Sequence, residues 1–322
     1  MPKELTHLII AEETRNRFSQ MSPDSVLIHH LDKYRNYYLF ASVMHDIPFY
    51  ARSTAEGKKL KHQGSVVHGI PPNDTLQPFR YLSGVYDRTG AAVITALIAG
   101  AASHMIADCV FHPFVYYFSG DKIARHFRLE TLMDIHLSRN QGAALEKQVS
   151  TLSLYKHLKQ DLQFLAQHLS GFMGLPESYI PETTKTLKLH DLTLKLFRSQ
   201  ICYYIFRLIS CLGSYDFKSK AELFYPSEMR FDTPFFNEDF FYRHPVTGDA
   251  ATGSIDLFVE TAVQKGCELF EKIQTAAETR SLELLFNSLP PLSLETGLDP
   301  ALGRHFLYTD LSVPIDCLVS GS

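Results

Sequence analysis

Tryptophan is absent from this 322-residue chain, and cysteine is sparse: Cys109, Cys202, Cys211, Cys267 and Cys317, odd in number and widely spaced, with no CxxC pair. Such a set excludes a disulfide scaffold and a thiolate zinc knuckle, and predicts free thiols in a reducing compartment. The first residues, Met-Pro-Lys-Glu-Leu-Thr-His, lack the apolar segment of a secretory signal, so the expected location is cytoplasmic. Basic residues are in slight deficit, with a net charge of −4. The one dense basic stretch, Gly57-Lys-Lys-Leu-Lys-His62, reads as a solvated loop, so no stable nucleic-acid complex is expected. The apolar run from Ala91 is interrupted by His104 and Asp108 before it reaches membrane-spanning length, so no transmembrane segment is expected. Strand-like alternation is scarce, and there is no internal repeat or low-complexity segment. What remains is an all-α chain, 45% hydrophobic, read as one domain over residues 1–322. The sequence specifies no oligomeric state.

Helical periodicity is expected from Thr6 to about Phe18, from Pro23 to about Tyr50 and from Pro78 to Tyr86. It is expected again over residues 141–169 and 183–212. Residues 51–75, with Gly57, Gly64, Gly69 and Pro71-Pro-Asn-Asp74, read as loop. Residues 213–322 read as less regular, packing on the rest, except for a helix from the N-cap candidate Ser254 to about Arg280.

The chemistry is concentrated in two ladders, His104-x3-Asp108-x3-His112 and His126-x3-Glu130-x3-Asp134. Residues four apart share a helix face. The first ladder continues the run Ala91 to Ala102, which reads as a buried helix, and a buried helix does not carry imidazole and carboxylate on one stripe unless their desolvation is offset. A metal ion offsets it. His104 and His112 lie about 12 Å apart along the axis at 1.5 Å per residue, too far for one ion with bonds of about 2 Å. Two ions are therefore expected, with Asp108 between them. Pro113 is expected to end this helix, and Gly120-Asp121 to turn the chain into a second helix, Arg125 to Leu137, running antiparallel. Asp134 is read as supporting a ligand histidine or as a surface acid.

Upstream stand His7 in Thr-His-Leu-Ile, Asp46 in His-Asp-Ile-Pro and His68 in Val-Val-His-Gly. Their order, together with Gly-Ala-Ala-Ser-His-Met-Ile-Ala-Asp-Cys-Val-Phe-His-Pro and Arg-His-Phe-Arg-Leu-Glu, resembles the zinc-dependent phospholipase C family, which shares an all-helical fold with single-strand-specific zinc nucleases. The resemblance is specific over residues 1–140 and loose beyond. It implies a helical bundle around a buried multi-zinc site. One zinc would be held by Asp46, His68, His104 and Asp108, and a second by His112, His126 and Glu130. A third would be held by His7 and shared Asp108. In secreted members an N-terminal Trp completes the third site; this chain has none, and the amine of Pro2, exposed by loss of Met1, is the one local substitute. His45 stands where such proteins often carry Pro.

The expected function is hydrolysis of a phosphate ester, of the phospholipase C type, by metal-activated water, with a phospholipid as the candidate substrate and Asp46 as ligand, general base or both. Imidazole and carboxylate ligands leave manganese or iron as other metals. A nuclease or nucleotide phosphoesterase on the same fold, and a non-catalytic metal-binding protein, are the alternatives. The aromatic segment from Phe235 to His244, closed by His-Pro-Val-Thr-Gly248, is read either as a lid over the metal site or as packing under a loop.

Overall fold

The computed structural model describes residues 3–70, 74–140, 150–151, 154–212, 215–225, 236 and 238–313. The chain is helical, as its periodicity predicts. The helices are α1 (Glu4–Met21), α2 (Val26–Lys33), α3 (Arg35–Ala41), α4 (Ala55–Val67), α5 (Gln77–Thr89), α6 (Ala92–Ser119) and α7 (Ile123–Asn140). After them come α8 (Leu162–Phe172), α9 (Ile180–Phe197), α10 (Gln200–Leu212), α11 (Tyr215–Ala221), α12 (Ile255–Glu278) and α13 (Leu282–Ser288). The one sheet among the described residues is a hairpin of β1 (Phe240–Arg243) and β2 (Ala250–Gly253), pairing Phe240 with Gly253 and Arg243 with Ala250.

Helix α6 is the axis of the fold. A helix apolar on all faces buries all of them, and α6 packs against α1, α2, α3, α5, α7 and α12. By length and composition it is the one helix among the described residues able to cross a membrane, yet 83% of its most apolar window is buried within the protein. Gly100 sets its closest crossing. A Cβ there would stand 2.2 Å from the Tyr38 carbonyl and 2.7 Å from the Ala41 Cβ, so α3 lies almost on the α6 backbone.

Several local expectations are corrected. Pro113 does not end α6, which runs on to Ser119. The Cys109 carbonyl, which loses its amide donor at Pro113, lies against the turn at Gly297, where a Cβ would sit 2.7 Å away. Tight packing of Phe114, Val115 and Phe118 holds the last turns helical. The segment read as loop at 51–75 contains α4, whose N-cap Thr54 accepts from the Gly57 amide. Gly64, inside α4, serves packing, since a Cβ there would meet Pro48 at 2.9 Å, while Gly69, at φ +103°, sits in the turn that follows, as read. The basic stretch Gly57 to His62 accordingly lies on a helix. The span Pro23 to Tyr50 divides into α2, α3 and a 3-10 turn (Ile47–Tyr50), and the pattern over 183–212 breaks between Phe197 and Gln200. Of the helical span expected over 141–169, residues 141–149 and 152–153 lie outside the described residues, and its end holds a 3-10 turn (Lys159–Asp161) and the start of α8. Ser254 caps α12, accepting from the Leu257 amide, as read.

Candidate metal centre

Four helices and one turn bring the candidate ligands together. His7 projects from the second turn of α1, Asp46 precedes the 3-10 turn, and His68 is the C-cap of α4. His104, Asp108 and His112 lie on α6, and His126 and Glu130 on α7. Every one of the eight is buried. They fall into two neighbourhoods, as the axial spacing of His104 and His112 requires.

In the first, the Asp108 carboxylate is central. One oxygen lies 3.4 Å from His7 Nε2; the other lies 3.1 Å from His104 Nε2 and 3.8 Å from His68 Nε2. Asp46 faces the same histidines, at 3.2 Å from His68, 3.6 Å from His104 and 3.9 Å from His7. In the second, Glu130 lies 2.8 Å from His126 Nε2 and 3.9 Å from His112 Nε2. Ligand atoms of His7, Asp46 and His104, of His68, His104 and Asp108, and of His112, His126 and Glu130 converge within 4.8 Å, the spacing of groups able to hold an ion.

The far ring nitrogens are tied to backbone carbonyls. His104 Nδ1 donates to Ser42 at 2.9 Å, His68 Nδ1 to Gly64 at 2.6 Å, and His112 Nδ1 to Leu294. Each bond fixes the tautomer that aims Nε2 inward with its lone pair free, as metal ligation requires. Both oxygens of Asp108 and the Nε2 atoms of His104 and His112 are buried with no hydrogen-bond partner. The Asp108 and His104 atoms, 3.1 Å apart without hydrogen-bond geometry, are in the arrangement a cation completes.

The electrostatics agree. Burial opposes charge on His104, but the Asp108 and Asp46 carboxylates outweigh it and push the imidazole up to about 9. The pocket draws positive charge to that position. Burial holds His112 and His126 below the ordinary histidine range, which keeps both as neutral donors. With nitrogen and oxygen donors and no thiolate, zinc fits both neighbourhoods.

The ligands open onto a cavity of about 600 Å³, with His68, His112 and His126 in its wall beside Phe49, Tyr50 and Phe127. Glu295 and Arg304 also line it, paired at 3.1 Å, and the Tyr116 hydroxyl donates to Glu295 at 3.3 Å. Sequence reasoning missed Glu295 and Arg304, because an irregular tail carries no periodicity to place them.

Asp134 supports α1 rather than a ligand ring directly. Its carboxylate accepts from the Leu5 and Thr6 amides, the Thr6 hydroxyl and the Tyr225 hydroxyl. His45 is buried and stacks on His104 with ring centroids 4.5 Å apart, edge-on to Phe172. Neither of its nitrogens has a hydrogen-bond partner. Its one sequence signal was its place next to Asp46. Of the other histidines, His136, His168 and His190 are buried core residues, while His29, His62, His157 and His305 are exposed.

The lid reading of the aromatic segment is corrected. Phe235 lies outside the described residues. Phe240 is buried and stacks on Phe114 at 4.6 Å, Tyr242 meets Phe114 edge-on, and Phe236 packs on His136. None of these three lines the cavity. Phe240 and Tyr242 are held by the flank of α6 at Phe114 and by Phe258 of α12.

Residues 6–179 match a family model described as zinc dependent phospholipase C. No curated protein and no solved structure matches the chain.

Proposed function

The chain belongs to the zinc-dependent phospholipase C family, and on that premise we propose that it cleaves the phosphodiester of a phospholipid between glycerol and head group. The observation that carries this reading is the pairing of two buried His/carboxylate neighbourhoods with a cavity whose wall is mainly apolar, through Phe49, Phe127, Leu196, Phe197 and Phe206. A lipid presents both a phosphate for the ions and apolar surface for that wall.

Under this reading Asp46, His68, His104 and Asp108 hold one zinc and His112, His126 and Glu130 a second, with His7 and Asp108 available to a weaker third. The ions, when bound, supply Lewis acidity toward the phosphoryl oxygens and make water a nucleophile at neutral pH. The residues do the rest. Asp108 faces His7 with one oxygen and His68 and His104 with the other, and balances positive charge on both sides of itself. Asp46, beside His68 and His104, would take the proton of the attacking water. Arg304, held by Glu295 at the cavity wall, faces the anionic substrate. The aromatic wall excludes water and receives the glycerol end. The nuclease alternative loses the one platform suggested for it in the sequence, since Phe240 and Tyr242 pack away from the cavity.

The test joins elemental analysis to a substrate screen. Chain purified without chelator should carry two tightly held zinc ions and release phosphorylated head group from phosphatidylcholine. Asp108→Ala should remove that release at equal folding. One metal ion or fewer per chain would sink the two-site assignment. Cleavage of single-stranded DNA in place of lipid would sink the substrate.

A further inference from the structure

Helix α10 carries its apolar stripe on the wrong side for a soluble protein. Ile201, Tyr204, Ile205, Leu208 and Ile209 recur at helical spacing and so form one face. That face is turned outward: Ile201 is 73% exposed, Leu208 67%, Tyr204 59% and Ile205 49%. The helix is held instead by its other side, where Phe206 stacks on Phe224 at 4.5 Å and Ser210 is buried. Leu192 and Leu196 of α9, 50% and 38% exposed, extend the same surface. An apolar area of this kind marks an interaction site.

Two observations identify the occupant. The surface is continuous with the cavity: Leu196 and Phe206 belong to the same two helices and line its wall, and Ile123, 41% exposed, lines it from α7. The surrounding charge is basic. In a chain of net charge −4, residues 188–220 carry six cations, Lys188, Lys195, Arg198, Arg207, Lys218 and Lys220, against Asp191 and Asp216. Among them Lys195 pairs with Asp191 and Arg207 with Glu222, and Arg198 donates to Thr151. A stable contact with a second copy takes about 20 residues a side, more than this stripe offers. An apolar helix face with a cationic border is the build of a helix that lies in the head-group layer of a bilayer.

We propose that the outward face of α9 and α10 docks on an anionic phospholipid bilayer, seating the cavity mouth at the layer that holds the substrate. This rests on the phospholipase reading, and the test separates the two. Because the chain has no tryptophan, Leu208→Trp is a single fluorophore. Its emission should shift to the blue on mixing with phosphatidylcholine vesicles containing phosphatidylserine. Leu284→Trp, at an exposed site on α13, should not shift. The Ile205→Asp/Leu208→Asp pair should weaken vesicle sedimentation about tenfold or more, and Lys218→Ala about fivefold on serine-containing vesicles only. The Asp pair should cleave monomeric short-chain phosphatidylcholine at the normal rate, since neither residue lines the cavity.

No blue shift at position 208, or an equal shift at 284, overturns the docking surface. So does a dimer in solution that the Asp pair dissociates. Vesicle binding by a protein that cleaves no lipid leaves the docking surface standing and removes the phospholipase reading. Cleavage of vesicle lipid that the Asp pair does not slow removes the docking surface and leaves the phospholipase.

Discussion

The Asp134 carboxylate lies 2.8 Å from the Thr6 amide and 2.5 Å from the Thr6 hydroxyl, one residue ahead of His7. It caps α1 from α7, at a helix start whose own N-cap residue, Lys3, supplies no side-chain cap. Burial pushes this carboxyl up to about 6. At neutral pH it is therefore the ionised acceptor that its donors need. Asp134→Ala should cost about 2–3 kcal/mol in urea unfolding and weaken zinc retention only partly. Asp108→Ala should empty its neighbourhood of metal. Equal zinc loss in the two variants, at equal folding, would refute this division of labour.

Gly100 is the second point where packing controls the metal centre. In an exposed helix Gly→Ala stabilises by about 1 kcal/mol. Here the added carbon meets the Tyr38 carbonyl, and relief must push α3 away from α6. The Ser42 carbonyl that orients His104 lies just beyond α3. Gly100→Ala should destabilise by about 1–3 kcal/mol and lower zinc affinity in the same protein. A stabilised variant with unchanged metal content would show that α3 yields without disturbing Ser42.

The aromatic segment should behave as core. Phe240→Ala should lower stability by about 3–5 kcal/mol and leave substrate preference alone, as judged by relative rates on several head groups in the folded variant. A changed preference with little loss of stability would restore the lid.

His168 supplies a pH signature away from the metal. It is packed on Phe164 and contacts the Tyr81 hydroxyl at 3.3 Å, and burial lowers it from the ordinary 6.5 to about 4. The folded state thus binds fewer protons than the unfolded between those values. Its contribution is fully present above pH 6.5 and is lost as pH falls toward 4, about 3 kcal/mol in all. Acid also releases zinc, but from wild type and His168→Phe alike. The difference between their stabilities should therefore shift in favour of the variant between pH 6.5 and 4. A constant difference would exclude His168 as a source of acid sensitivity.

The ladders on α6 and α7 were legible because helical spacing converts sequence directly into geometry: residues four apart must share a face, and residues eight apart cannot share one ion. Family membership was legible as a resemblance, carried by the ladder motifs together with the order of His7, Asp46 and His68 ahead of them. What stayed hidden depends on contacts distant in sequence. Gly64 reads as a turn until Pro48 is seen against it, and Pro113 reads as a stop until packing at Phe114 and Phe118 is seen to hold the helix beyond it. Glu295 and Arg304 come from a segment with no period at all. The role of Asp134 is set by the start of α1, across 128 residues of chain.

Leu294 joins the two neighbourhoods. Its amide donates to the His68 carbonyl, and its own carbonyl receives His112 Nδ1 across 182 residues of chain. Residues 6–179, matched by the family model, therefore hold every ligand without holding the group that sets the tautomer of one of them. His112 gains this hydrogen bond only once residue 294 has folded back against it, so a chain truncated before Leu294 should hold metal less tightly at the His112 end than at the Asp108 end.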